Sequence, residues 1–189
     1  MDPNKLTIKS QAALEGARQQ AVARQHQTIE PEHLLFALLQ DPEGVVYPLL
    51  HHLGVAPKPL LDGVDAALDR VPKVYAQGVE VRVGPALGRV LDTAFREAEA
   101  LTDEYVSTEH LFLALLEGST PAAALLREMG VDRDAVLTGL AEVRGRQRVT
   151  DPNPEEKYQA LERYGRDLTE QARQGRLDPG SDATRRSAA

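Results

Sequence analysis

Ile29-Glu30-Pro31-Glu32-His33-Leu34-Leu35-Phe36-Ala37-Leu38-Leu39-Gln40-Asp41 and Val106-Ser107-Thr108-Glu109-His110-Leu111-Phe112-Leu113-Ala114-Leu115-Leu116-Glu117-Gly118 are one segment written twice. At a shift of 77, six of the 13 positions are identical and four more are conservative. Upstream, Leu14, Ala17 and Ala21 lie over Leu91, Ala94 and Ala98 at the same shift. Downstream, one residue is dropped and the match resumes. Leu49–Val55 then lies over Leu125–Val131, and Leu60–Val64 over Val136–Leu140. One register with one gap across four segments marks an internal duplication of about 75 residues.

Each copy reads as four helices. Ala13, Leu14, Ala17, Ala21 and Val22 form a stripe of helical period, with Thr7 or Ser10 available as its cap. Pro31 suits a first helical turn, where its missing N–H costs nothing. In the second copy Ser107 or Thr108 can cap the equivalent helix, with Glu109 near its positive end. Leu49, Leu50 and Leu53 mark a third helix stopped by Gly54, and Gly130 repeats that stop. Leu60 through Val71 mark a fourth, closed by Pro72. Val74–Val83 holds alternating valines, but with no partner strand in view it reads as the loop between copies. Pro85 opens the fifth helix, and the eighth ends near Arg146. The expected fold class is all-α: tandem four-helix repeats, eight helices in all, plus one C-terminal linker helix. The expected domain spans residues 1–148, with copies at 5–73 and 84–148. Thr150-Asp151-Pro152-Asn153-Pro154 reads as a helix-breaking linker, placed at 149–154. Residues 155–179 read as an amphipathic helix carrying Tyr158, Leu161, Tyr164, Leu168 and Ala172 on one side. Residues 180–189 read as a disordered tail.

Composition narrows the function classes. The 189 residues contain no Cys, which excludes disulfides, thiol nucleophiles and zinc-finger ligand sets. No apolar run approaches the ~18 residues of a membrane span. The first residues do not read as a signal peptide, so a cytoplasmic protein is expected. The chain carries 29 acids and 22 bases, net −7, with 21 and 15 of them in residues 1–150. From Glu97 to Glu117 six acids (Glu97, Glu99, Asp103, Glu104, Glu109, Glu117) stand with no Lys or Arg. Nucleic acid needs clustered bases, so it is not an expected partner. The acidic stretch reads either as a solvated face or as one that attracts a basic protein.

Enzyme chemistry is not written here. There is no G-x-x-x-x-G-K-[ST] phosphate cradle, no H-E-x-x-H and no G-x-S-x-G elbow. The histidines are His26, His33, His51, His52 and His110. His33 and His110 occupy one position in the two copies, which favours a helix-start hydrogen-bonding role over a ligand or catalyst. His51 and His52 are neighbours pointing about 100° apart on a helix. No metal site and no catalytic residue is expected.

The paired Glu-His-Leu helices, the Gly-Val steps and the duplication resemble the Clp amino-terminal domain, over roughly residues 5–148. Tyr158-Gln-Ala-Leu-Glu-Arg-Tyr164 through Leu177-Asp178-Pro179 is similar to the lead-in to the first ATPase module of ClpB-type AAA+ disaggregases. Gly180 onward matches nothing in that family. The resemblance implies a non-catalytic module that captures exposed apolar segments of misfolded or aggregated proteins for ATP-driven threading. ATP and Mg²⁺ would then belong to the full-length parent, a homohexamer, and the isolated chain would be a monomer. Related domains also dock folded adaptors or co-chaperones, which is the alternative. Carried over by position, polypeptide contacts fall on Thr7, Asp103 and Glu109. Apolar groove walls fall at Leu91 and Phe95, and His110 stands where relatives often carry an apolar residue. Each has a second reading: Thr7 as a cap, Asp103 as a turn residue, Glu109 as a dipole partner, Leu91 as core.

Overall fold

Prolines and short caps set where the helices begin. A computed structural model describes residues 2–75, 80–145 and 147–158. Its α-helices are α1 (Ile8–Ala23), α2 (Pro31–Leu39), α3 (Val46–His52), α4 (Pro57–Leu68), α5 (Pro85–Ala100), α6 (Thr108–Leu115), α7 (Pro121–Glu128) and α8 (Arg133–Arg144). Thr7, rather than Ser10, caps α1, its hydroxyl accepting from the Ser10 amide at 3.2 Å. Ser107, rather than Thr108, caps α6. Gly54 (φ 69°) and Gly130 (φ 78°) take the left-handed conformation that ends α3 and α7. Gln25 (φ 61°) and Thr102 (φ 58°) do the same after α1 and α5, although neither is glycine. They are equivalent in the two copies, so the strained turn is itself duplicated.

The halves pack as a pseudo-two-fold pair. Helices α2 and α6 touch each other at the centre. Helix α6 is buried over its whole length, and α2 at all but Phe36 and Ala37. Such all-round apolar helices are stable only inside a protein. Around them the contacts come in reciprocal sets: α1 on α6 and α5 on α2, then α4 on α7 and α8 on α3. Glycine makes the last set possible. A Cβ on Gly63 of α4 would stand 3.0 Å from Leu125 Cδ2 of α7, and one on Gly139 of α8 would stand 2.7 Å from Leu49 Cδ1 of α3. Gly63 and Gly139 are repeat equivalents, and so are Leu49 and Leu125. Each half therefore offers a leucine knob to a glycine on the other.

The segment 74–83 is not wholly a loop. Arg82–Val83 (β2) pairs in parallel with Thr28–Ile29 (β1), Thr28 opposite Arg82 and Ile29 opposite Val83. A matching bridge joins Leu6 to Val106. The two pairings are repeat equivalents, since Gly84 N–H donates to Ile29 O and Thr7 N–H to Val106 O, both at 3.0 Å. Each crosses the seam. Two-residue strands are too short to show a period of two, which is why alternation at Val79, Val81 and Val83 did not locate them. Helix α4 also stops earlier than its apolar pattern, at Leu68 rather than Val71.

The expected linker is not free of the domain. Val149 is fully buried, Glu104 N–H donates to Val149 O (2.8 Å), and Ile8 N–H donates to Pro152 O (2.8 Å). Residues 154–158 are helical, with Glu155 and Tyr158 buried. The remainder of the expected 155–179 helix and the tail at 180–189 lie outside the described residues.

Tight glycine packing gives a stability test. Gly139→Val is expected to cost about 1–3 kcal/mol by overpacking α8 on α3. Gly88→Ala in α5, where a Cβ meets nothing within 4 Å, should leave stability equal or raise it by up to ~1 kcal/mol. Chemical denaturation of the two variants beside the parent chain measures both.

Candidate functional site

Two equivalent side-chain strings run under the starts of α2 and α6. In the first copy Glu30 N–H donates to His33 Nδ1 (2.9 Å), and His33 Nε2 meets His26 Nδ1 at 2.8 Å. In the second, Ser107 N–H donates to His110 Nδ1 (2.9 Å), and His110 Nε2 meets Asp103 Oδ2 at 2.9 Å. His26 and Asp103 are repeat equivalents, as are His33 and His110. An amide donating to Nδ1 puts the ring proton on Nε2 in both copies. His33 and His110 therefore complete capping boxes for their own helices.

Ser107 Oγ also lies 2.9 Å from His110 Nδ1, so serine, histidine and aspartate stand in line. This is not a nucleophilic triad. Ser107 and His110 are fully buried, as is the Asp103 side chain. The serine's own backbone occupies the nitrogen that would have to take its proton.

The second string is charged and recruits more partners. Arg144 of α8 reaches Asp103 Oδ1 at 2.5 Å and Glu109 Oε1 at 3.3 Å, and Val149 N–H donates to Asp103 Oδ1 at 2.8 Å. Burial pushes the Asp103 carboxyl up, but His110, Arg144 and the Val149 amide outweigh it and hold it down at about 2. In the first copy burial, then the neighbouring His26, lowers His33 to about 4. Burial, with Arg24 and Lys73 nearby, lowers His26 as well.

The residues expected to touch a polypeptide converge on the seam, mostly beneath its surface. Thr7 is fully buried and donates to Glu155 Oε1 at 3.0 Å. Glu109 and His110 are fully buried, and Asp103 is held by Arg144. Leu91 is 4% exposed on the inner face of α5, while Phe95 is half-buried against the core. The structure thus joins Thr7, Asp103, Glu109 and His110 through Glu155 and Arg144, and sets Leu91 and Phe95 apart on α5. Half of the acidic stretch is also internal: Arg133 pairs with the buried Glu97, and Arg144 neutralises Asp103 and Glu109. Glu99, Glu104 and Glu117 remain exposed.

Two open clefts lie at the seam. One, of about 460 Å³, runs between α1, the end of α2 and the start of α3, and reaches Thr108 of α6. Its walls are largely apolar: Ile8, Ala12, Ala13, Ala37, Leu38 and Val46. Ile8 is 57% exposed there, and a Lys9–Asp41 ion pair of 2.8 Å stands at the rim. Asn153 and Glu156 close one end. The other cleft, of about 680 Å³, lies between the start of α2, the outer face of α5 and the α6–α7 turn. Charged side chains line it on several sides, Arg89, Arg96, Asp92, Glu30 and Glu117. Sequence reading missed the first cleft. The available signal was the pair Ala12–Ala13 beside Ile8, small residues leaving room next to an apolar one on a helix start. Among the described residues no group of three or more acids and histidines could hold a metal ion, and no helix is long and apolar enough to cross a membrane.

The two strings respond to acid in different windows. Neutral His33 stabilises the fold above its ordinary value near 6.5, and that contribution is lost as pH falls toward about 4. Ionised Asp103 stabilises above its ordinary value near 4, and is lost only as pH falls toward about 2. His33→Gln, which keeps a capping-box partner, is expected to flatten stability between pH 6.5 and 4 (up to about 3 kcal/mol). Asp103→Asn should flatten it below pH 4 (about 2 kcal/mol). Denaturation midpoints measured from pH 7 to pH 2 separate the two.

Known proteins resemble this chain in sequence and in fold. The family model of the Clp repeat N-terminal domain matches residues 5–129. The ClpB chaperone of Nitratidesulfovibrio vulgaris is 44% identical over 190 residues, covering 97% of this chain and 22% of that protein. The ClpB of Mycobacterium tuberculosis is 40% identical over 179 residues, covering 95% and 21%. The chain thus spans about a fifth of the length of the curated relatives it matches. The Hsp104 N-terminal domain of Candida albicans superposes with a TM-score of 0.71 at 23% identity, over 80% of this chain and 99% of that one. A ClpV N-domain solved in complex with a VipB peptide superposes with a TM-score of 0.59 at 25% identity, over 76% and 89%. The duplicated helices, their matched caps and the family match over residues 5–129 together establish that the chain belongs to the Clp repeat N-terminal domain family.

Proposed function

We propose that this domain captures exposed apolar segments of misfolded or aggregated polypeptides and delivers them to the ATP-driven modules of a ClpB-type disaggregase. The groove along α1 carries the reading. It is apolar, open at the seam and bordered by a half-exposed isoleucine. That a related N-domain was solved with a peptide supports polypeptide as the ligand class. Apolar client side chains leaving water there gain ~25 cal/mol per Å². A micromolar complex costs only about 8 kcal/mol to dissociate, so a client can be passed on. Six such domains on a cytoplasmic homohexamer would restore tight capture through effective concentration. Thr7, Asp103, Glu109 and His110 then act from below, by fixing the α1 and α6 starts that frame the groove. Phe95 and Leu91 stiffen α5. No chemistry on the client is part of this role, and nucleotide and Mg²⁺ belong to the ATPase modules.

A second reading, docking of a folded adaptor or co-chaperone, draws on the charged cleft instead. Arg89, Arg96, Asp92 and Glu117 line it together, a pattern better suited to a polar protein surface than to greasy chain.

The groove reading predicts weak binding of a permanently unfolded, apolar-rich protein such as reduced, carboxymethylated α-lactalbumin. The double variant Ile8→Gln, Ala12→Gln should weaken it about tenfold, as loss of one buried apolar side chain implies, with an unchanged melting temperature. Equal affinity in parent and variant by fluorescence titration would exclude this groove. Charge reversal at Arg89 and Arg96 should leave the affinity as it is.

A further inference from the structure

The segment 151–158 faces two ways. Its outer residues, Asn153 and Glu156, line the apolar groove. Its inner residues, Glu155 and Tyr158, lie three apart on one face of a helical turn and are buried at 1% and 5% exposure. Between these faces, Pro152 O accepts the Ile8 amide, and Ile8 itself lines the groove.

Glu155 sits in an unusual place for a carboxyl. Thr7 donates to its Oε1, but its Oε2 is buried without a partner, as are Glu109 Oε2, Thr108 Oγ1 and the Tyr158 hydroxyl. The ionisable groups around it are Glu109 of α6 and Tyr158 of the segment itself, with Arg144 of α8 beside those two. Asp103 lies beyond, and Glu43 stands across a small cavity before α3. Arg144 is already engaged by Asp103 and Glu109. Nothing cationic among these groups is left for Glu155, so the seat suits a protonated carboxyl.

We propose that residues 151–158 form a strap latched by Glu155, and that polypeptide seated in the α1 groove and the docked strap stabilise one another. The strap completes the groove wall, so a ligand touching Asn153 or Glu156 binds the docked form better. Linkage makes the effect reciprocal. The chain that leads out of the domain is thereby held differently when the groove is full. Burial, then the charge of Glu109, raises the Glu155 carboxyl above its ordinary range. A group raised in the docked state favours docking at low pH, and docking weakens as pH rises through the raised value. The coupling rests on the polypeptide-binding reading, whereas the latch does not.

Amide exchange on the full 189-residue chain tests the latch without ligand. The protection factors of Ile8 and of residues 155–158, corrected for intrinsic rates, should fall about tenfold per pH unit between the ordinary glutamate value near 4.5 and the raised value, and level off above it. In Glu155→Gln they should stay flat, and in Tyr158→Ser they should be low at every pH. Flat protection in the parent chain, or a Glu155→Gln profile matching the parent, overturns the latch. Titration with reduced, carboxymethylated α-lactalbumin at pH 8 tests the coupling. Glu155→Gln should bind several-fold more tightly than the parent and Tyr158→Ser more weakly, with strap protection rising on binding. Equal affinities in all three chains overturn the coupling. Absence of binding in all three overturns the polypeptide reading and the coupling with it, while exchange still decides the latch.

Discussion

The packing of α2 against α6 is the constraint on which the rest depends. Both helices are too apolar to face water, and each covers the other. Neither repeat can bury its central helix alone. Two-fold pairing then fixes every outer contact twice: Leu49 over Gly139 and Leu125 over Gly63, Ile29 beside Val83 and Leu6 beside Val106. These are self-complementary contacts of the kind that build symmetric dimers, here within one chain. Their cost is rigidity at the seam, since a glycine facing a leucine tip leaves no slack for either helix to slide.

Symmetry in the scaffold makes its breakage informative. At one duplicated position the first copy carries His26 and the second Asp103. The first string ends on a ring whose Nε2 is buried without a partner. The second ends on a carboxylate that draws Arg144 and the Val149 amide inward. That one exchange ties the chain after α8 to the second copy. An aspartate accepts from several donors at once, whereas a neutral imidazole accepts from one. The groove is likewise one-sided: small residues Ala12 and Ala13 open it beside α1, while at the matching face of α5 charged Arg89 and Asp92 line the other cleft.

Much of the fold was legible because its signals are local. Pro31 and Pro85 at helix starts, Gly54 and Gly130 at helix ends, and the Glu-His-Leu repeat each depend on a few neighbouring residues. The histidine pair is legible as a helix-start feature for the same reason. What sequence could not supply was the seam. Thr7 and Glu109 look like accessible polar residues until Glu155, which lies 148 positions from Thr7, is laid over them. The acidic run from Glu97 looks like a surface until Arg133 and Arg144 arrive from α8. The linker reads as a breaker by composition, yet backbone groups hold it, Pro152 O and the Val149 amide, and these carry no side-chain signature.

Acid placement ties these observations to the site. Two carboxyls, Asp103 and Glu109, converge on the Arg144 guanidinium under the starts of α1 and α6, and a third, Glu155, lies beside Glu109. Burying so much like charge would be unfavourable if all three were ionised. The molecule divides the burden unequally. Asp103 takes the histidine, the arginine and an amide and stays charged; Glu109 shares the arginine; Glu155 is left with the Thr7 hydroxyl and backbone amides, and burial raises its carboxyl. The weakest member of the cluster is therefore the one carried by the segment that leaves the domain. A fold whose halves are locked by leucine and glycine has little freedom elsewhere, so the exit segment is where a change in charge can become a change in shape.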